Sequence, residues 1–460
     1  MKLHFYGAAR IVTGSNYLLE TSKRKILIDC GLFQGKRKIE EKNYEPFPYQ
    51  PSEIDFVLIT HAHLDHLGRL PKLIRDGFNG RILATGPTID FARLILKDSQ
   101  KIIQKKAAKK GIFPRMNGRQ IEKAMEMFEA VEYDKKIKLA EGISVCFREA
   151  GHVLGSAAIE VIIREHGQEQ EKKIVFSGDL GTEGTPILKD PFKIKNADYV
   201  VMESTYGDRF HESREECKDK IEDVVEETIA RGGVLMIPSF ALERTQQLLY
   251  HFNDLVENSR IPRTPIFVDS PLAIKLTKIY RRYPEYFDKE ALSLIESGDK
   301  IFKFPDLKFT LSTEESKAIN DIAPPKIIIA GSGMSQGGRI IHHELRYLSD
   351  PKNTLLFVTY QAQGTLGRKI FEGAKEIKIL RQNVSVRARI EYVGGYSSHA
   401  DQKGLMDWLS SMTKADSPKK PKKVFVCHGE ENSSLGLAEK IKNDLGLAVE
   451  VPRIGSSISL

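Results

Sequence analysis

The run His61-Ala62-His63-Leu64-Asp65-His66 constrains this chain more than any other feature, because it sets three imidazoles and a carboxylate directly after the apolar strand-like segment Phe56 to Thr60. His61 and His63 lie two residues apart and project to the same side of extended chain. Asp65 and His66 approach from the turn before the helical pattern LGRLPKLI. This mixture of nitrogen and oxygen donors suits zinc and similar divalent metals. With 12 His in 460 residues, the pattern HxHxDH arises by chance somewhere in such a chain about 4 times in 10,000, so the motif is read as functional. Four clustered donors exceed what one catalytic zinc with an open position accepts. Two metals are therefore expected, with further ligands drawn from elsewhere in the chain.

Candidates for those ligands sit at other strand ends. Gly151-His152 follows VCFREA, Ser177-Gly178-Asp179 follows KIVF, and Cys427-His428-Gly429 follows KVFV. Alone, a His or Asp at a strand end is more often a satisfied structural residue or a turn former. A carboxylate such as Asp179 has two oxygens and can bridge two cations, which one imidazole nitrogen cannot. The four cysteines, Cys30, Cys146, Cys217 and Cys427, have no CxxC spacing, which argues against a disulfide framework and against a thiolate zinc site.

Length and patterning give the frame. A chain of 460 residues with 41% hydrophobic and 29% charged residues is expected to fold as two or more domains. The apolar runs are too short for a membrane-spanning helix, and the first residues lack the apolar stretch of a signal peptide. A cytoplasmic protein is expected. The formal charge of +8 favours a polyanionic partner modestly. Two basic stretches, Lys97 to Arg115 and Lys419 to Lys423, are read equally well as solvated surface. Closely spaced β-type runs fill the first 205 residues or so, suggesting a mixed or antiparallel sheet sandwich. From about Asp208, helical patterns alternate with buried-type strands (VLMIPS, IFVDS, KIIIA, TLLFVTY), as in a parallel α/β domain. After about Gln382 the segments RARIEYVG and KKVFVC read as the first block resumed. The expected division is 1–207 and 383–460 as one domain, with 208–382 inserted.

Two further groups concern phosphate handling. Gly331 to Gly338 (GSGMSQGG) follows KIIIA and leads into RIIHHEL, so amides around Ser332, Gly333 and Ser335 could cradle a phosphate at a helix N-terminus. Arg244 and Arg368 are candidate phosphate clamps, since a guanidinium donates two parallel hydrogen bonds; either is equally readable as a structural ion-pair partner. Phe240 and Tyr360 could stack on bases or belong to the core.

Asp29, His61/His63/Asp65/His66, His152 and Asp179, in this order and each after a strand, resemble the successive motifs of the metallo-β-lactamase superfamily. Glu203 in YVVMES, His399 in GGYSSHADQ and His428 in VCHGE resemble the three additional motifs of the β-CASP nucleases, and IPSFALERTQQLL, FVDSPLA, AGSGMSQGG and TYQAQGTLGR resemble other β-CASP segments. The resemblance covers essentially the whole chain. It is strongest to bacterial and archaeal relatives of the nuclease subunit of the cleavage and polyadenylation specificity factor.

The resemblance implies an αββα sandwich with an inserted, mostly parallel β-CASP α/β domain. It implies two zinc ions, manganese being the alternative: one held by His61, His63 and His152, the other by Asp65, His66 and His428, with Asp179 bridging and Asp29 orienting ligands. Such a pair generates a bridging hydroxide and stabilises an in-line displacement at phosphorus. His399 is the implied general acid, oriented by Glu203. The expected activity is hydrolysis of phosphodiester bonds in single-stranded RNA, endonucleolytic with 5′ to 3′ exonucleolytic trimming as a second mode, by a homodimer acting in RNA processing or decay. RNA-directed members carry His at the position of His428, whereas DNA-directed repair nucleases tend to carry Val. The competing readings are a single-stranded DNA nuclease of the same fold and a catalytically silent RNA-binding scaffold.

Overall fold

A computed structural model describes residues 1–109, 118–165, 167, 170–212, 214–414 and 419–460. Their contacts divide into two units, Met1–Phe210 with His399–Leu460, and His211–Ser398.

Short apolar strands build the first unit as two seven-stranded sheets. The first runs, in spatial order, Ser456–Ser459, Lys2–Phe5, Tyr17–Glu20, Lys25–Ile28, Phe56–Leu58, Arg81–Thr85, Phe128–Val131. The second runs Val449–Glu450, Lys423–Val426, Tyr199–Met202, Lys172–Phe176, Ala157–Ile163, Ile143–Glu149, Ile137–Ala140. Both are mixed. Tyr17–Glu20 pairs antiparallel with Lys25–Ile28, which pairs parallel with Phe56–Leu58; Lys172–Phe176 likewise has an antiparallel and a parallel neighbour. The inward faces share one core, in which Phe5, Ile28, Leu58 and Leu83 meet Phe147, Ile159, Phe176 and Phe425. The Phe5 and Phe425 rings are 5.3 Å apart across it. Each such side chain contributes about 1.5–3 kcal/mol by leaving water, a reserve that lets the rim loops hold unfavourable backbone. On the outer face of the second sheet, Leu405, Trp408, Leu409, Leu437 and Ile441 of Gln402–Ser410 and Glu431–Leu445 cover Val175, Val200 and Val424. Gly86–Lys109 packs on Arg81–Thr85 and Phe128–Val131 of the first. Helix, sheet, sheet, helix is the layer order.

In the second unit a six-stranded, all-parallel sheet runs Leu307–Phe309, Ile266–Asp269, Lys326–Ala330, Val234–Pro238, Thr354–Phe357, Arg389–Tyr392. Its central strands are buried along their whole length, the pattern expected of a sheet covered by helices on both faces. The expected boundary at 383 moves. Gln382–Ser385 forms a hairpin with Glu376–Ile379, and Arg389–Tyr392 extends the second unit's sheet beside Thr354–Phe357. RARIEYVG is therefore a strand of the inserted unit, and the chain returns to the first at His399.

No described helix is long and apolar enough to cross a membrane. Lys419 and Lys422 pair with Asp198, and Lys423 with Glu450, so three lysines of that basic loop serve the first unit's own carboxylates. In the other basic stretch, Lys97 pairs with Glu122 at 2.7 Å, and residues 110–115 lie outside the described residues.

Candidate metal centre

Six strands of the first unit end at one rim, and the loops leaving them carry the site. Lys25–Ile28 delivers Asp29, Phe56–Leu58 the His61–His66 run, Ile143–Glu149 His152, Lys172–Phe176 Asp179, Tyr199–Met202 Glu203, and Lys423–Val426 His428. Gly178 makes one of these turns. Its φ is +56°, and a Cβ there would stand 2.8 Å from the Thr60 side chain, so the backbone turns sharply enough to aim Asp179 back over the motif.

The donors fall into two groups joined by Asp179. In one, His61 Nε2 and His152 Nε2 lie 3.1 and 3.2 Å from His63 Nδ1 and 3.5 and 3.6 Å from Asp179 Oδ2. In the other, His66 Nε2 lies 3.1 Å from His428 Nε2, Asp65 Oδ2 is 3.6 Å from His428 Nε2, and Asp179 Oδ1 is 3.3 and 3.4 Å from His66 Nε2 and His428 Nδ1. Two nitrogens sharing a tetrahedral zinc stand about 3.3 Å apart, given Zn–N bonds of about 2.0–2.1 Å. The spacing fits. Asp179 Oδ1 is moreover buried without a hydrogen-bond partner, a cost that a cation between the two groups would relieve. The donor set of five imidazoles and two carboxylates suits borderline divalent ions.

Electrostatics agree in the first group. Burial pushes His63 down to about 4, and burial with the neighbouring His66 pushes His61 well down, keeping both imidazoles neutral as ligation requires. Burial opposes charge on His66, but Asp179 and Asp29 raise it well above the usual range. Despite burial, the neighbouring imidazoles, above all those of His428 and His66, hold the Asp179 carboxyl well below the usual carboxylate range.

Asp29 stands outside the donor groups and meets them through hydrogen bonds. Its Oδ2 accepts from His66 Nδ1 at 2.6 Å, and its Oδ1 from the Thr60 amide at 2.8 Å. A φ of +60° holds it there. Thr60, which sequence reasoning left out, also places its hydroxyl 3.1 Å from His61 Nδ1; its position immediately before the motif was the available signal. Asp29→Asn is expected to weaken metal binding about 10- to 100-fold, measured by competition with a chromogenic chelator, while the variant still folds.

His399 stands beside both groups, its ring centroid 4.5 Å from that of His152 and 6.0 Å from that of His428. Its Nδ1 lies 3.0 Å from Glu203 Oε1. Glu203 is fixed by the Leu180 and Thr205 amides, and Thr182 Oγ1 donates to the His399 carbonyl at 3.0 Å. Burial works against the imidazolium, yet Glu203 and then Asp179 raise its pKa to about 9. The cysteines are buried thiols, Cys30 pushed up to about 12 by burial, and none enters the donor groups.

The phosphate candidates lie in the second unit and divide. Ser335 is buried, with φ +54°, and its hydroxyl binds the buried carboxyl of Glu344, which turns its side chain away from any phosphate. Gly333 is packed against the Phe240 ring. The cradle expected at Ser332 closes on itself: the Ser332, Ser335 and Ile340 amides donate to Gly337, Ser332 and Gly331 carbonyls, and the Gln336 amide to Ser332 Oγ. Arg244 is buried, whereas Arg368 is part-exposed and pairs with Glu372 at 2.7 Å. Phe240 and Tyr360 are exposed.

Burial raises Glu344 to about 8, the Ser335 hydroxyl only partly opposing it, against about 4.3 in unfolded chain. Between those values the folded state binds the extra proton, so stability falls as pH rises from about 4.3 to 8. Wild type is expected to melt at lower temperature at pH 8 than at pH 5.5. Glu344→Gln should narrow that difference without abolishing it, since burial raises Glu149 to about 8 as well, as scanning calorimetry at both pH values would show.

Residues 10–232 match the metallo-β-lactamase superfamily model, 245–370 the Beta-Casp domain, and 383–452 the Zn-dependent metallo-hydrolase RNA specificity domain. The chain is 39% identical to Ribonuclease TTHA0252 of Thermus thermophilus over 100% of both chains. It is 32% identical to Transcription termination factor FttA of Methanosarcina mazei over 95% of this chain and 68% of that one. A crystal structure of a protein of unknown function from Enterococcus faecalis superposes with a TM-score of 0.54 at 13% identity, covering 100% of this chain and 99% of that one; this likeness concerns the fold alone. With the ligand order, the inserted parallel domain and full-length identity to a curated member all in agreement, the chain belongs to the β-CASP family of the metallo-β-lactamase superfamily.

Proposed function

We propose that this protein is a metal-dependent ribonuclease hydrolysing phosphodiester bonds of single-stranded RNA. One observation carries the reading: two separate ligand triads converge on the single carboxylate of Asp179, with the His399–Glu203 pair beside them. His61, His63 and His152 would hold one zinc ion and Asp65, His66 and His428 the other, with Asp179 reaching both. When bound, such a pair activates water near neutral pH and neutralises charge developing at phosphorus. Nδ1 of His399 is engaged by Glu203, and the imidazolium would supply the proton that the departing 3′ oxygen requires. Arg368, on the second unit's surface, is the remaining candidate for a backbone phosphate. Both internal cutting and 5′ to 3′ trimming, and association as a homodimer, belong to this reading.

The relative named as a ribonuclease and the matched RNA specificity domain support RNA over DNA. A silent scaffold is disfavoured because every ligand position holds a competent side chain. The test uses matched 5′-labelled single-stranded RNA and DNA, wild type with zinc or manganese, and His63→Ala as control. RNA cleavage that the control abolishes, with DNA intact, is expected. DNA cut as fast as RNA would overturn the substrate assignment, and RNA bound but uncut would favour the scaffold.

A further inference from the structure

Arg244 opens the helix Arg244–Glu257, and Arg244, Gln247 and His251 share one face at spacings of three and seven residues. Arg244 as a whole is 4% exposed, too deeply buried to meet a passing phosphate. Nη1 donates to Gln247 Oε1 at 2.5 Å and Nη2 to Ser398 Oγ at 3.2 Å, and the group lies 5.4 Å from the Tyr396 ring centroid, a cation–π distance. Farther along the same helix, His251 Nδ1 is hydrogen-bonded to the Tyr396 hydroxyl, with its ring edge-on at 5.2 Å. From another side Gly395 is seated too closely for any side chain: a Cβ there would fall 2.3 Å from Cys217 Sγ and 2.8 Å from the Glu212 carbonyl oxygen. The Gly394 amide donates to Glu212 Oε2 at 3.3 Å. The segment Gly394 to Ser398 is thus gripped by a helix face and by the residues around Glu212 and Cys217. The next residue in the chain is His399, whose carbonyl and ring are held by Thr182 and Glu203.

We infer that Arg244 is a positioning residue for His399 and not a phosphate ligand: together with Gln247, His251 and Tyr396 it clamps the segment that delivers His399. The activity readout rests on the ribonuclease reading. A general acid misplaced by about 1 Å loses on the order of 10²-fold in rate, so a clamp on the preceding residues acts on turnover. A phosphate ligand would act on binding instead and carry a salt dependence.

The experiment compares Arg244→Met, Arg244→Lys and Tyr396→Phe with wild type, as full-length zinc-loaded protein on single-stranded RNA. The clamp predicts kcat lowered about 10- to 100-fold, with KM, its salt dependence and metal content unchanged. Lysine should not rescue, because it cannot reproduce the planar fork that joins Gln247 to Ser398. A raised KM with kcat retained, a shallower salt slope and partial rescue by lysine would make Arg244 a phosphate ligand and overturn the inference. Retained kcat and KM in every variant would overturn it too. Should Arg244→Met fail to fold, Tyr396→Phe, which loses a single hydroxyl, carries the test. Hydrogen exchange supplies a readout free of activity: amides from Gly394 to His399 should exchange faster in the variants. If wild type cuts no RNA, the ribonuclease reading fails by itself, and unchanged exchange in the variants would still overturn the clamp.

Discussion

Asp179→Asn is expected to lower RNA cleavage by about 10³-fold or more and to strip metal from both ligand groups, well beyond the 10- to 100-fold cost of losing an outer partner. The reason is geometric. Asp179 presents Oδ2 to His61 and His152 at 3.5 and 3.6 Å, and Oδ1 to His66 and His428 at 3.3 and 3.4 Å. Asparagine keeps the shape but replaces one oxygen by an amide that can only donate, and it removes the negative charge facing both groups. One of the two groups must lose its carboxylate whichever way the amide turns. Metal content by mass spectrometry of the purified variant should fall below one ion per chain, and a cooperative melt would show that the fold persists. A variant retaining full metal and full activity would remove Asp179 from the centre.

His399→Gln is expected to lower kcat by about 10²- to 10⁴-fold, the range of a lost general acid, with KM and metal content unchanged. Glu203→Gln should have a smaller effect, since His399 stays in place but loses the carboxylate 3.0 Å from Nδ1. The role can be separated from simple architecture. An RNA whose scissile 3′ oxygen is replaced by sulfur leaves without needing a proton, so His399→Gln should cleave it nearly as fast as wild type. Equal defects on both substrates would instead make His399 a residue that orients substrate.

How far the sequence alone could reach depends on how local each signal was. The His61–His66 run is contiguous, so its spacing already implied convergence and two metals. His152, Asp179, Glu203, His399 and His428 are spread over 277 positions (428 − 152 + 1 = 277), and only the resemblance joined them before the strand ends were seen to meet. Ser335 was misread because its direction is set by a left-handed backbone and by Glu344, nine residues on; a glycine-rich loop after a strand looks alike whether its amides face a ligand or each other. Arg389–Tyr392 was assigned to the wrong unit because a strand's pattern records burial, not which sheet it joins. Ile137–Ala140 and Ser456–Ser459 leave little trace in the sequence, being short, partly polar edge strands whose pairing comes from neighbours rather than from their own apolar content.

Cleavage is expected to depend on two ions held by these two groups. Metal-free protein titrated with zinc, with initial rates of RNA cleavage read at each addition, tests it most directly. No cleavage is expected at the start, and activity should saturate at two equivalents per chain. Full cleavage in the presence of chelator, or saturation at a single equivalent, would contradict it.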